Sequence, residues 1–523
     1  MLPPPSESQS DESNSAKIAT MRICLISREY PPDTGFGGIA TFTKHLAYGL
    51  KNLGHDVVVI ALAKGPAKVA DDGGIPVHRV EPYPFKSKLA ATSMCAPYSK
   101  YVVLNCTALW DKFAQLHAEK PFDIVDTPEL LADGIVSAVT QVVPQVIRLY
   151  TPHSKFIAEK MHNVLPSFDH QFVAVLERIA MLQTDVLTSP SLDLAQFVAS
   201  DLGIDVEQIK IVRNPIDTTI FTPEGPIALA RTEKLRILFV GRLEGRKGIT
   251  YLIDAIPQIV AEFANVEFVI IGDDTITGKG MTSVLAELKK SLAQSHCTEH
   301  VKFIDRIALD ELPAYYRSAD ISIVPSVYDN SPYTCLEAMA CGRPVIGTDA
   351  GGTKEYIEHG VSGLIIAACD SNAITKACLA LLTDAAERNR LSEGAREHAV
   401  KYFDRTEIAR QTVTCYQLAQ DLFNQRQASP IARKLYLHDY KQASADIKAL
   451  ADSFDKQIYD LLYQHSFRFR IGHWWRHLRA RPRLFIATAL NKISRRVLRL
   501  VGVKEDRLPP FLRDLETSID SKH

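Results

Sequence analysis

A short apolar strand followed by a glycine-bearing loop and an amphipathic helix occurs twice in this 523-residue chain, and each time it opens a series of further strands. The first copy is "MRICLIS" at 21–27, the loop "REYPPDTGFGGIA", a helix from about Thr41 to Leu53 stopped by Gly54-His55, and the strand "DVVVIAL". A strand, a loop, a helix and a second parallel strand form the opening unit of a doubly wound sheet. The runs "DIVDT" (123–127), "QVIRLYT" (145–151), "VLTS" (186–189) and "IKIVRNPID" continue it. The pattern restarts with "LRILFVGRL" at 235–243, then "VEFVIIGD", "VKFID", "ISIVPS", "PVIGTD" and "GLIIAA". The expected fold class is therefore α/β: two Rossmann-like domains facing across a cleft, with ligands at the C-terminal ends of the strands. The expected divisions are a disordered leader at 1–20, an N-terminal domain at 21–228 and a C-terminal domain at 229–403. A helix at 404–425 is expected to pack back on the first domain, and a helical, basic extension follows at 426–523.

Length alone argues for more than one core. A net charge of −1 and 46% hydrophobic residues describe an ordinary globular composition and do not call for nucleic acid. The nine cysteines form no Cys-x-x-Cys pair, so they read as reduced thiols of a cytoplasmic protein, without a zinc site. No apolar run reaches the roughly 20 residues of a membrane span. The polar, Pro/Ser-rich leader does not read as a secretory signal.

Three strand-end loops of the second half carry the chemistry. In "GRLEGRKG", Arg242 and Lys247 suit a diphosphate, because a guanidinium grips two oxygens and an ammonium adds a point charge. In "DNSPYTCLE" (329–337), Ser331 reads as a helix N-cap and Pro332 as the first helical residue, leaving N–H groups to attract an anion. Asp329 then precedes the helix, while Glu337 lies within it. The glycines of "TDAGGTKE" (348–355) permit close backbone approach to a bound group.

Together "EYPP…GGIA", "VRNPIDTTIF", "VGRLEGRKG" and "PSVYDNSPYTCLEAMACGRPVIGTDAGGTKEYI" resemble the retaining nucleotide-sugar glycosyltransferases of GT-B fold, family 4, over about residues 21–425. The resemblance implies a nucleotide-diphosphate sugar as donor substrate in the C-terminal domain and an acceptor on the N-terminal domain. It implies no cofactor and no metal. Arg242 and Lys247 match the pair that neutralises the donor diphosphate, and Glu337 matches the acid that holds the ribose hydroxyls. Asp329 stands where a longer Glu usually touches the transferred sugar. Ser331, Pro332, Tyr333 and Thr334 belong to the same donor-binding turn. Gly37 and Gly38 resemble the loop near the donor phosphates and acceptor. His153 in "LYTPHSKF" matches the active-site histidine, so the implied catalytic set is His153, Arg242, Lys247 and Asp329. Arg306 lies where the family's base-contacting loop tends to be.

The implied activity is that of a metal-independent hexosyltransferase acting on a glycan, lipid-linked or small-molecule acceptor. Two alternatives stay open: a nucleotide-sugar isomerase or epimerase of similar architecture, and a catalytically weak nucleotide-sugar-binding protein. Beyond the resemblance, residues 466–504 hold eleven Lys and Arg and no Asp or Glu. Ile486, Leu490, Ile493, Val497 and Val501 recur there at helical spacing, downstream of Trp474 and Trp475. Upstream, Ile447, Leu450, Phe454, Ile458 and Leu461 suggest another amphipathic helix. A basic amphipathic helix with nearby Trp suits an anionic membrane surface. Peripheral attachment to the cytoplasmic face is the expectation.

Overall fold

The computed structural model describes residues 19–35, 37–83, 97–160, 168–278 and 281–428. The leader through residue 18 and nearly all of the extension at 426–523, including its basic stretch, lie outside the described residues.

The first sheet is built from β1 (Arg22–Ile26), β2 (Asp56–Leu62), β3 (Lys68–Asp71), β4 (Pro76–Val80), β5 (Ile124–Pro128), β6 (Gln145–Arg148), β7 (Val186–Ser189) and β8 (Ile209–Ile211). Their order across the sheet is β3-β4-β2-β1-β5-β6-β7-β8. All pairings are parallel except β3 with β4. The second sheet holds β9 (Leu235–Val240), β10 (Val266–Ile271), β11 (Val301–Ile304), β12 (Ile321–Val324), β13 (Val345–Thr348) and β14 (Gly363–Ile366), in the order β11-β10-β9-β12-β13-β14. It is parallel throughout. Parallel strands are covered on both faces, which is why the central ones read as unbroken Val/Ile/Leu runs. Residues 57–62 and 321–324 are all buried. The edge strand β3 is exposed along its whole length and carries no apolar pattern by which it could be recognised.

Each sheet reverses its winding beside its first strand. In the first sheet the crevice opens between β1 and β5, and in the second between β9 and β12. The loops after those four strands carry most of the residues singled out above, which is where open α/β sheets bind ligands.

The helix Arg405–Ala428 leaves the second domain and packs on the first. Ile408, Ala409, Val413, Tyr416 and Ala419 join one buried cluster with Phe42, Leu46, Val57 and Val59. Tyr416 donates its hydroxyl to Asp126 Oδ2 (2.7 Å), and Arg405 pairs with Asp217. Segments far apart in the sequence, near residues 42–59 and 408–419, thus share one core. Among the described residues no helix is long and apolar enough to cross a membrane.

Candidate active site

At the crevice of the second sheet the loops after β9 and β12 are joined by charge. Lys247 ends a single 3-10 turn, Gly245–Lys247, and its ammonium pairs with Asp329 Oδ2. The turn needs Gly248 behind it: its φ is +70°, and a Cβ there would stand 1.7 Å from the Pro325 carbonyl oxygen. Burial alone would raise the Asp329 carboxyl, but Lys247 and Arg246 outweigh it and hold the pKa below the usual carboxylate range. Arg242 is more open, with 57% of its side chain exposed, and it reaches Glu244 Oε1 at 3.2 Å. A residue that the sequence did not single out, Arg246, ties the loops together. It donates to Glu244 Oε1 (2.8 Å) and to the Tyr328 carbonyl (3.1 Å) and lies 3.9 Å from Asp329.

The helix after Asp329 starts one residue later than its sequence suggested. It spans Tyr333–Ala340, and Pro332 is the cap, with no side-chain capping bond. The Ser331 hydroxyl, expected to cap it, donates instead to the Tyr356 hydroxyl at 2.6 Å. A tertiary partner has outcompeted the local one. Thr334 lies in the first turn, and Glu337 faces inward: it is buried and accepts from the Tyr316 hydroxyl at 2.7 Å. Burial raises its pKa to about 7, against the opposing effects of Tyr316 and Lys247. Arg306 lies 3.5 Å from Asp273 Oδ2, both side chains about half exposed.

The first sheet presents its own crevice opposite. Gly37 caps the helix Gly38–Asn52, and a Cβ on Gly38 would meet the Tyr333 ring at 3.7 Å, so the glycine loop and the helix Tyr333–Ala340 lie against one another. After β5 comes Glu129, fully buried, whose carboxylate accepts from the backbone N–H groups of Tyr150 (2.8 Å) and Thr151 (2.6 Å) at the end of β6. Burial lifts its pKa to about 8 in spite of those donors. Glu177, also buried, accepts from Leu131 N (2.8 Å) and His153 N (2.5 Å). Arg28 from the β1 loop pairs with buried Asp133 from the β5 loop at 2.6 Å.

His153 opens the helix His153–Lys160 and is buried. Its Nε2 lies 2.8 Å from His170 Nδ1, the ring centroids are 5.1 Å apart, and the planes differ by 12°. The rings are thus nearly coplanar, edge to edge, as a single N–H···N bond requires. Burial, then the neighbouring His170, lowers the His153 pKa to about 4. Glu129, Glu177 and His170 carried no motif. Their only sequence signal was a carboxylate directly after the strand "DIVDTP" in the first case.

Among the described residues no group of three or more His, Cys, Asp or Glu is placed to hold a metal ion. The second domain sets two cationic side chains on one carboxylate and a second, buried carboxylate on the adjoining helix, and the first domain holds a neutral histidine after β6. Such a set can grip an anion between the domains and present hydrogen-bond acceptors to hydroxyl groups.

Residues 37–215 match the family model described as "Glycosyl transferase 4-like domain", and residues 225–398 match "Glycosyl transferases group 1". An uncharacterized glycosyltransferase of Methanocaldococcus jannaschii is 28% identical over 415 residues, spanning 77% of this chain and 99% of that protein. The MMP alpha-(1->4)-mannosyltransferase of Mycolicibacterium hassiacum is 25% identical over 423 residues, or 76% and 98% of the two chains. The solved structure of sucrose-phosphate synthase from Thermosynechococcus elongatus superposes with a TM-score of 0.62 at 21% identity, covering 77% of this chain and 100% of that one. With one family model on each Rossmann-like half and the GT-B arrangement of both, the chain belongs to the glycosyltransferase group 1/4 superfamily.

Proposed function

We propose that the protein is a retaining hexosyltransferase that moves a sugar from a nucleotide-diphosphate sugar to a hydroxyl of a glycan, lipid-linked or small-molecule acceptor, without a metal. The observation that carries this reading is the meeting of Lys247 with Asp329 at the crevice of the second sheet, with buried Glu337 on the adjoining helix. In the proposed reaction the donor diphosphate takes Lys247 and Arg242 as its counter-charges. Asp329, relieved of Lys247, accepts from the sugar hydroxyls, and Glu337 accepts from the ribose diol. The bond from the anomeric carbon to the diphosphate oxygen breaks, and the acceptor oxygen bonds to that carbon on the same face. The acceptor proton passes to the leaving phosphate, whose growing charge Arg242 and Lys247 stabilise. His153, neutral at working pH, contacts the sugar from the opposite domain.

The shorter Asp329 is compatible with this scheme: Lys247 and Arg246 hold it ionised in the free protein, and Arg246 remains its cationic neighbour when Lys247 turns to the diphosphate. The test is incubation of the purified chain with UDP-, GDP- and ADP-sugars, with and without acceptor hydroxyls. Release of nucleotide that persists in a chelator supports the proposal. A changed sugar without nucleotide release would favour an isomerase. Binding without turnover would favour a binding protein. Loss of all turnover in the chelator, restored by magnesium or manganese, would overturn the metal-free reading.

The cytoplasmic location and the membrane role of residues 466–504 are part of the same proposal and rest on sequence alone. Co-sedimentation of the full chain, and of a chain ended at Arg426, with anionic vesicles tests them. Equal binding by the two forms would refute the role of the tail.

A further inference from the structure

Residues 328–330 run between the two domains with their side chains in alternation. Asp329 faces the cationic loop, while Tyr328 and Asn330 reach the first domain. The Tyr328 hydroxyl lies 2.6 Å from Asp193 Oδ2 and 2.7 Å from Asn330 Oδ1. Asn330 Nδ2 lies 2.5 Å from the Tyr150 carbonyl oxygen and 2.7 Å from Thr151 Oγ1. A carbonyl only accepts, so the amide nitrogen must be the atom that faces Tyr150. The backbone of this segment has no slack behind it. A Cβ on Gly351 would stand 2.4 Å from the Asp329 carbonyl oxygen, and one on Gly352 would stand 1.9 Å from that of Asn330.

The receiving residues are held equally firmly. Glu129 takes the N–H groups of Tyr150 and Thr151, and Glu177 takes that of His153 two positions on. One amide therefore joins the residue next to Asp329 to a turn that leads directly to His153, and both ends of the tie are fixed from behind.

We infer that Asn330 is a positioning residue, which sets the placement of Asp329 on one domain relative to His153 on the other. This rests on the glycosyl-transfer reading above. Asn330 touches neither of the two side chains. It acts by fixing their main chains, and a small misplacement of groups that must act together is costly to turnover.

The test uses the full chain and whichever UDP-, GDP- or ADP-sugar the wild type turns over. Asn330→Ala is expected to lower kcat by about tenfold or more with donor KM within about twofold, because the donor's own contacts remain. Asn330→Asp, the same shape without a donor for the Tyr150 carbonyl, is expected to behave likewise and guards against a folding defect in the alanine variant. Thr151→Val removes the other partner, and the double variant is expected to be no slower than Asn330→Ala alone. Wild-type kcat in both Asn330 variants, or losses that simply multiply in the double variant, would overturn the inference. A wild type that turns over no nucleotide sugar would sink the transfer reading alone. The tie is then read from hydrogen exchange of residues 150–156, which Asn330→Ala is expected to speed several-fold. Unchanged exchange would overturn it.

Discussion

The crevices of the two sheets have the same topology and opposite electrostatics. In the second, Asp329 and Glu337 are buried but the cations lie nearer the solvent: Arg242 is largely exposed, and Lys247 is partly exposed and paired across a gap between two loops. In the first, charge is sealed in. Arg28 with Asp133, Arg148 with Asp126, Glu129 and Glu177 are all buried and held by fixed partners. On the proposed reading, the second half gives its counter-charges to an incoming anion. In the other, Glu129 and Glu177 hold main-chain turns, and the described groups beside them include a neutral histidine and a glycine loop. This division suits a donor that brings two negative charges and an acceptor that brings a hydroxyl.

If the first crevice is a scaffold, its variants should lose stability. Glu129→Ala leaves two buried N–H groups without an acceptor and is expected to cost about 2–4 kcal/mol, whereas Glu129→Gln keeps a carbonyl oxygen and costs less. Urea denaturation of both variants measures this, and a loss below about 1 kcal/mol for the alanine would break the contrast. Variants of the second crevice should lose turnover instead. Lys247→Ala and Glu337→Gln are each expected to slow the reaction at least about tenfold, or about 1.4 kcal/mol of transition-state stabilisation. Wild-type rates in the folded variants would remove their assignment.

The pH dependence sharpens the same comparison. Ionised Glu337 can accept from both hydroxyls of a ribose diol, one on each oxygen, whereas the protonated form turns one oxygen into a donor; with a pKa of about 7 in the free protein, a bound donor must release that proton at lower pH. Donor affinity should therefore weaken as pH falls through 7, by about tenfold between pH 8 and pH 6, and Glu337→Gln should lose that dependence. Calorimetric titration of both proteins with the same nucleotide sugar decides it. The smallest effect concerns His153, whose pKa near 4 keeps it neutral from pH 5 upward. Histidine NMR should show no titration of this ring between pH 5 and 8. A midpoint near 6.5 would return it to the list of groups that shape the pH profile.

The legibility of each half in the sequence follows from how it is built. Lys247 and Asp329 could be found because each follows a strong apolar strand by a few residues, and loops at such strand ends are where ligands bind. Glu337 could be found because its helix start was recognisable, although the cap was misread: the Ser331 hydroxyl has a partner 25 positions away in Tyr356. Glu129 grips main chain 21 and 22 residues further on, Glu177 grips His153 from 24 residues beyond it, and Asn330 reaches back 180 residues to Tyr150. No local pattern announces such pairings. A carboxylate that serves two amides in the interior has the same letter as one on the surface. His170 is a similar case, since only the fold brings it edge to edge with His153.

The claim that the second crevice holds the nucleotide is tested most directly by hydrogen exchange of the full chain with and without UDP, GDP or ADP. At least one of these should slow exchange in peptides covering 241–248 and 330–338, while the turn at 150–153, already held by Glu129 and Glu177, changes little. Protection confined to 28–38 and 129–153, or none with any of the three nucleotides, would contradict the assignment of the donor to the second domain.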